Sequence, residues 1–204
     1  MRRRSARGEG AALRQEIIAA AERLLLSHGS DEAVSIRAVA DLVGVTPPSI
    51  YRHFTDKREL ILAVCEHQFA RFNDAMSDAV KPARGPLGEL RAMGKAYIEF
   101  GLNHPEAYTV MFMRPPPSLD GYNGNEQDRP AAFVALVEAV QRAVDAGELE
   151  TPTAAHAAQV IWSVVHGLTS LLIAHPHFQW SDKSDLVDDA LRACVAPFLP
   201  DIRR

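Results

Sequence analysis

Thiols are scarce in this chain: Cys65 and Cys194 are the two cysteines among 204 residues. They stand far apart without metal-ligand spacing, and two thiols cannot staple a disulfide scaffold. They read as small core hydrophobes in a reducing compartment, so the expected location is the cytoplasm. A run of about 18 apolar residues is missing, so no membrane span is expected. The charged start MRRRSAR leads into no apolar stretch, which argues against a secretion signal. Strand-like alternation and internal repeats are missing as well, which leaves an all-α reading. So are a phosphate-binding glycine loop and a nucleophile motif. His156, His166, His175 and His177, with Cys194, could raise metal or acid–base chemistry. His175 and His177 flank Pro176, however, with no Asp or Glu at convincing ligand spacing. No enzyme, metal or cofactor is therefore expected.

Positive charge is also in short supply, with 22 Lys and Arg against 26 Asp and Glu, a net −4. Taken alone, that argues against a nucleic-acid partner. The distribution points the other way. Residues 1–72 hold 11 basic and 9 acidic groups, a net +2, whereas residues 73–204 hold 11 and 17, a net −6. A basic front and an acidic rear suit a chain that offers one end to DNA. The four arginines of the arm fit either a strand that follows the DNA backbone or minor groove, or a solvated tail.

The informative stretch is 34–64, VSIRAVADLVGVTPPSIYRHFTDKRELILAV. Ser35 can cap a short helix whose apolar face is Ile36, Val39, Ala40 and Val43. Gly44 ends it, because glycine tolerates a left-handed backbone. Thr46 is placed to cap the next helix. Residues before proline avoid helical angles, so Pro47 is expected outside that helix and Pro48 at its start. Over 48–54, Ile50 and Phe54 share the inner side, while Ser49, Tyr51 and Arg52 fan outward. This is a helix-turn-helix, with the second short helix aimed at the major groove. Arg52 can fork onto guanine, and Thr46, Ser49, Tyr51 and His53 suit phosphate oxygens. His53 lies on the flank and fits packing equally well. Asp56 opens a third helix beside Lys57 and Arg58, where backbone N–H groups and cations form an anion site.

The segment SIRAVADLVGVTPPSIYRHFTDKRELI resembles the tetracycline-repressor-like (TetR) family of bacterial regulators. The specific positions are Gly44-Val45-Thr46, Ile50-Tyr51, His53-Phe54, Lys57 and Leu60. Pro48 departs from the small residue or glycine usual at that point. The resemblance implies an all-α homodimer with an N-terminal DNA domain and a C-terminal ligand domain. It implies DNA contacts from Ser35, Arg37, Thr46, Pro47, Pro48, Ser49, Tyr51, Arg52, His53 and Lys57. Arg52 and Tyr51 would take bases; Thr46 and Lys57 would take phosphate.

The remainder reads as helices. Leu13, Ile17, Ile18, Ala21, Leu24 and Leu25 stripe a first helix that Gly29 ends. Together with the reading pair it completes a DNA-binding domain over 1–55, with its arm at 1–10. A connecting helix spans 56–80, and a ligand-binding and dimerisation domain spans 81–204. Within that domain, helices are expected over roughly 87–102, from there to Met113, and over 130–146, 152–175 and 182–199. Residues 114–130 form a proline- and glycine-dense loop. Leu186, Ala190, Leu191, Cys194, Val195 and Phe198 form a stripe on the last helix. Ala158, Ser163, Gly167 and Ser170 on the helix before it permit close approach. Two such helices from each subunit would build a four-helix dimer interface, although a monomer core would use the same stripes. Trp162-Ser-Val-Val-His166-Gly167 looks like the Trp…His-Gly signature of one subclass of the family's C-terminal domains. Ligand-wall candidates are Met93, Tyr97, Phe100, Tyr108, Met111, Phe112, Phe133, Trp162 and His166, although such stripes also serve as plain core.

The expected function is a ligand-responsive repressor, cytoplasmic, bound as a homodimer to a palindromic double-stranded operator and released by a small apolar or amphipathic effector. The alternatives are a helical metal-dependent enzyme and a protein-interaction module.

Overall fold

The computed structural model describes residues 9–28, 34–113 and 131–200. The tip of the arginine arm, Gly29 and the 114–130 loop lie outside them. The described elements are all helical. They are α1 (Glu9–His28), α2 (Ile36–Val43), α3 (Pro47–Ile50), α4 (Lys57–Val80), α5 (Gly85–Asn103), α6 (Pro105–Tyr108), a π-turn (Thr109–Met113), α7 (Ala131–Asp145), α8 (Ala154–Ala174), α9 (Lys183–Val195) and a 3-10 turn (Ala196–Phe198).

Packing divides the chain into two units. The first takes its described residues from Met1–Ala70 and Glu106–Gly121, the second from Arg71–Pro105 and Tyr122–Arg204. The division falls inside α4, at Ala70–Arg71, and places α6 and the π-turn in the first unit.

The first unit is a three-helix core completed by the start of α4. Ile17, Ile18, Ala21 and Leu25 of α1 meet Val39, Ala40, Ile50, Phe54, Leu60 and Val64, all buried. Leu13 and Leu24 pack half-buried on its edge, as the stripe predicts, and Val110 of the π-turn joins the same cluster. Burying one such side chain contributes about 1.5–3 kcal/mol, so the cluster dominates the stability of this unit. The Arg14 guanidinium lies 4.9 Å over the Phe54 ring, a cation–π contact that closes the core's rim.

In the second unit α8 packs against α5, α7 and α9, and α5 also touches α7 and α9. A Cβ on Gly94 of α5 would overlap the Leu191 Cδ2 methyl of α9, so a larger residue there requires the Leu191 side chain to shift. Salt links tie α5 to both neighbours: Arg142 Nη2 of α7 reaches Glu89 Oε2 at 2.8 Å, and Arg91 Nη2 reaches Asp188 Oδ2 of α9 at 3.0 Å. The Arg91 hydrogen bond holds the Asp188 carboxyl below its ordinary range.

Two expectations about the second short helix change here. The helix expected over 48–54 is only Pro47–Ile50, followed by a hydrogen-bonded turn in which the His53 and Phe54 N–H groups both donate to the Ile50 carbonyl. The helix also begins one residue early. The pre-proline restriction falls on Thr46, which is extended at ψ 150°, while Pro47 itself is helical. Half of the last-helix stripe, Leu191, Cys194 and Phe198, is buried in the subunit's own core, as is Ala158 of α8, while Leu186, Ala190 and Val195 are half-buried. Helix α8 is also more apolar than the sequence reading allowed. It is long and apolar enough to cross a membrane, with a mean hydropathy of 1.6 over its best 18 residues. Packing against α5, α7 and α9 buries about a third of that window within the subunit.

Candidate functional site

The turn that displays the reading residues is built from backbone bonds. Ser35 is extended, and its hydroxyl accepts from the Ala38 N–H at 3.1 Å, capping α2. Gly44 sits at φ 74°, and its N–H and that of Val45 both donate to the Ala40 carbonyl. Open space surrounds Gly44, so backbone conformation alone demands glycine there. Thr46 makes no side-chain cap. Its acceptor would need the N–H of the second or third helical residue, but Pro48 has none and the Ser49 N–H already donates to the Thr46 carbonyl at 2.8 Å. The Thr46 hydroxyl pairs instead with Ser49 Oγ at 3.1 Å.

With Ile50 and Phe54 sunk in the core, the residues between them turn outward. Tyr51 is 54% exposed, Arg52, Thr46, Pro47 and Pro48 are exposed, and Ser49, His53 and Lys57 are half-buried. Ser35 and Arg37 are exposed on α2. At the start of α4, Asp56 Oδ1 accepts from the Glu59 N–H at 2.8 Å, and Glu59 Oε2 accepts from the Thr55 N–H and hydroxyl. Those bonds hold the Glu59 carboxyl below its usual range. This is a variant of the capping box in which Glu59 reaches back to Thr55 rather than to the cap residue Asp56; the spacing of Asp56 and Glu59 is its sequence signal. It alters the anion site expected there, since two carboxylates already satisfy part of the helix start. Lys57 and Arg58 offset those two carboxylates.

In the second unit a polar chain links α5 to α8. Trp162 Nε1 donates to Tyr97 Oη at 3.3 Å, Tyr97 Oη pairs with His166 Nδ1 at 3.0 Å, and His166 Nε2 pairs with Ser170 Oγ at 3.4 Å. Phe133 packs on Trp162, and Phe72 stands edge-on to both Tyr97 and Phe100. Partial burial lowers the His166 pKa from its ordinary value, which favours neutral imidazole. Such a chain offers an amphipathic molecule donors and acceptors in an aromatic setting. Tyr97, Phe100, Phe133, Trp162 and His166 are thus gathered around one chain, and Met93 lines a separate cavity of the same unit. Tyr108, Met111 and Phe112 belong to the first unit, where Tyr108 is fully buried and Phe112 stands edge-on to Phe69. Ser170, read from sequence as a spacer, is a member of the polar chain.

Residues 17–64 match the bacterial regulatory proteins of the tetR family. Residues 90–196, over half of the chain, match the tetracyclin repressor-like C-terminal domain. The chain belongs to the TetR family. As a TetR-family member it is a DNA-binding transcriptional regulator with a helix-turn-helix. It is similar to the Bacillus subtilis HTH-type transcriptional regulator YobS, 24% identical over 82% of each chain. The Mycolicibacterium smegmatis HTH-type transcriptional activator FasR is 27% identical over 48% of this chain and 45% of its own. Among solved structures, a Rhodococcus protein of unknown function superposes with TM-score 0.79 at 24% identity, covering 92% of this chain and 96% of its own. A TetR-family transcription regulator from Marinobacter aquaeolei gives TM-score 0.66 at 18% identity, covering 96% and 100%. These structural likenesses extend the TetR fold over nearly the whole chain.

Proposed function

We propose that this regulator is a cytoplasmic, effector-released repressor that binds a palindromic operator as a homodimer. One observation carries the reading: Tyr51 and Arg52 stand exposed between the buried anchors Ile50 and Phe54. Arg52 reads guanine, with Tyr51 beside it on the bases. Thr46 and Lys57 take phosphate, helped by Ser35, Arg37, Ser49 and His53, while Pro47 and Pro48 lie against the sugar–phosphate backbone. Two copies match half-sites about one helical turn, 34–36 Å, or a multiple apart. The dimer forms through the last two helices, on side chains the subunit leaves uncovered. Leu171 is half exposed, and Val164, Leu168, Leu186 and Ala190 are half-buried. A small apolar or amphipathic effector binds in the second unit near Tyr97, Trp162 and His166. It weakens operator binding by favouring the DNA-incompetent state, with α4, which contributes to both units, as the link. A differential affinity of about 1.4 kcal/mol changes operator affinity tenfold.

The test is selection of bound duplexes from a random pool. Enrichment of a palindrome with half-sites one turn or a multiple apart is expected; enrichment of a single half-site would overturn the dimer reading. FasR is named an activator, which favours activation as a second reading. A promoter fusion carrying the recovered palindrome separates the two, since repression predicts higher output when the gene is deleted.

A further inference from the structure

Arg14 has no part in the DNA or effector assignments. It stands half-buried on α1, a helix that carries no reading residue, and its guanidinium lies 4.9 Å over the Phe54 ring. Its place matters because the reading residues have little regular structure beneath them. Helix α3 ends at Ile50 and α4 begins at Lys57, so Tyr51 and Arg52 sit on the turn between. That turn hangs on two fully buried side chains, Ile50 and Phe54. At its near end the His53 and Phe54 N–H groups donate to the Ile50 carbonyl. At its far end Glu59 Oε2 accepts from the Thr55 N–H and hydroxyl. Arg14 serves both far-end fastenings. It covers the face of Phe54, and its charge adds to the Thr55 bonds that keep Glu59 ionised. One guanidinium thus links α1, the turn and the first turn of α4. A single residue separates Arg52 from Phe54, so a tilt of that ring carries the Arg52 backbone with it. Recognition groups need placement within about 0.5 Å and 10–20°, and a guanidinium fork onto guanine is demanding in the same way.

We propose that Arg14 is a positioning residue for operator recognition, holding Phe54 against α1 and so fixing the direction in which Tyr51 and Arg52 leave the domain. This role rests on Arg52 as the base reader.

The experiment is a double-mutant cycle on the full chain, read by fluorescence anisotropy with the selected palindrome and a scrambled duplex. Arg14→Met keeps an apolar chain over the ring and removes the charge. It should lower the ratio of specific to scrambled affinity about fivefold, the scale of one partly desolvated cation–π contact. In an Arg52→Ala background the same substitution should lower that ratio by less than about twofold, because positioning acts through Arg52. Arg14→Lys should keep more of the ratio than Arg14→Met, since a cation stays over the ring. Urea unfolding sets conditions in which every variant is folded, so lost stability does not pass for lost recognition. An unchanged ratio in Arg14→Met, the same factor in both backgrounds, or lysine no better than methionine overturns the proposal. So does an equal loss on both duplexes with the salt slope reduced by about 1, the mark of a direct phosphate contact. If Arg52→Ala alone keeps the full ratio, the base-reading assignment fails and this role fails with it, a result seen before Arg14 is altered.

Discussion

The two units display their polar groups in opposite ways. In the first, the reading side chains point to solvent and the apolar residues around them are fully sunk: Tyr51 is 54% exposed, its neighbour Ile50 not at all. In the second, Tyr97 is only 8% exposed and shares its hydroxyl with Trp162 and His166 across two helices. The proposed duplex-reading surface is apolar and buried underneath and polar and exposed on top. The proposed effector site already satisfies much of its own hydrogen bonding, which a bound molecule would have to exchange. Mutations in the first unit should therefore separate stability from recognition cleanly, and mutations in the second should mix them.

The largest test of that contrast is Ile50→Ala. It leaves a cavity under α3 and should cost about 2–5 kcal/mol, a large part of a typical 5–15 kcal/mol stability. Urea unfolding followed by circular dichroism measures the loss, and operator binding should fall with it. Next, Arg52→Ala should leave the unfolding midpoint unchanged while specific binding drops by about 1–3 kcal/mol. Fluorescence anisotropy with specific and scrambled duplexes reads this, and equal losses on both duplexes would contradict the base-reading role. Ser35→Ala should cost about 1 kcal/mol through the lost cap of α2, seen in the same unfolding experiment.

Smaller still is the effect of pH in the second unit. His166 has a lowered pKa in the folded chain, so between that value and about 6.5 the unfolded chain binds more protons. The contribution of neutral His166 is complete above pH 6.5 and is lost as pH falls towards the folded pKa. A scan of Tm against pH should decline there, and the part due to this ring should vanish in His166→Gln. Smallest is Thr46→Ala, expected to change stability by less than about 0.5 kcal/mol, because Thr46 makes no side-chain cap. A loss as large as that of Ser35→Ala would show that Thr46 caps α3 after all.

The first unit was legible because its signals are local. Ser35, Gly44 and the alternation of Ile50 and Phe54 with Tyr51 and Arg52 each act within a few residues, so spacing alone places them. The Thr46 cap was misread for an equally local reason: Pro48 removes one donor and the Thr46 carbonyl takes the other. In the second unit the signals run across the chain. Trp162 and His166 were visible as neighbours on one helix, but their bonds to Tyr97 span 65 and 69 residues. The stripe on α9 was visible too. Its occupant was not, and Leu191, Cys194 and Phe198 face their own subunit. Packing places Tyr108, Met111 and Phe112 in the first unit, an assignment that no local pattern carries.

Sequence by itself determined the helical class, the anchors of the reading turn and the outward position of Arg52, because periodicity and caps act over one or two turns. Tertiary structure decided how far the turn extends as helix, which apolar stripe stays inside the subunit, and which polar groups meet across α5 and α8. Those outcomes depend on close approach between distant segments, as where Gly94 admits the Leu191 side chain, and no local pattern encodes such a meeting.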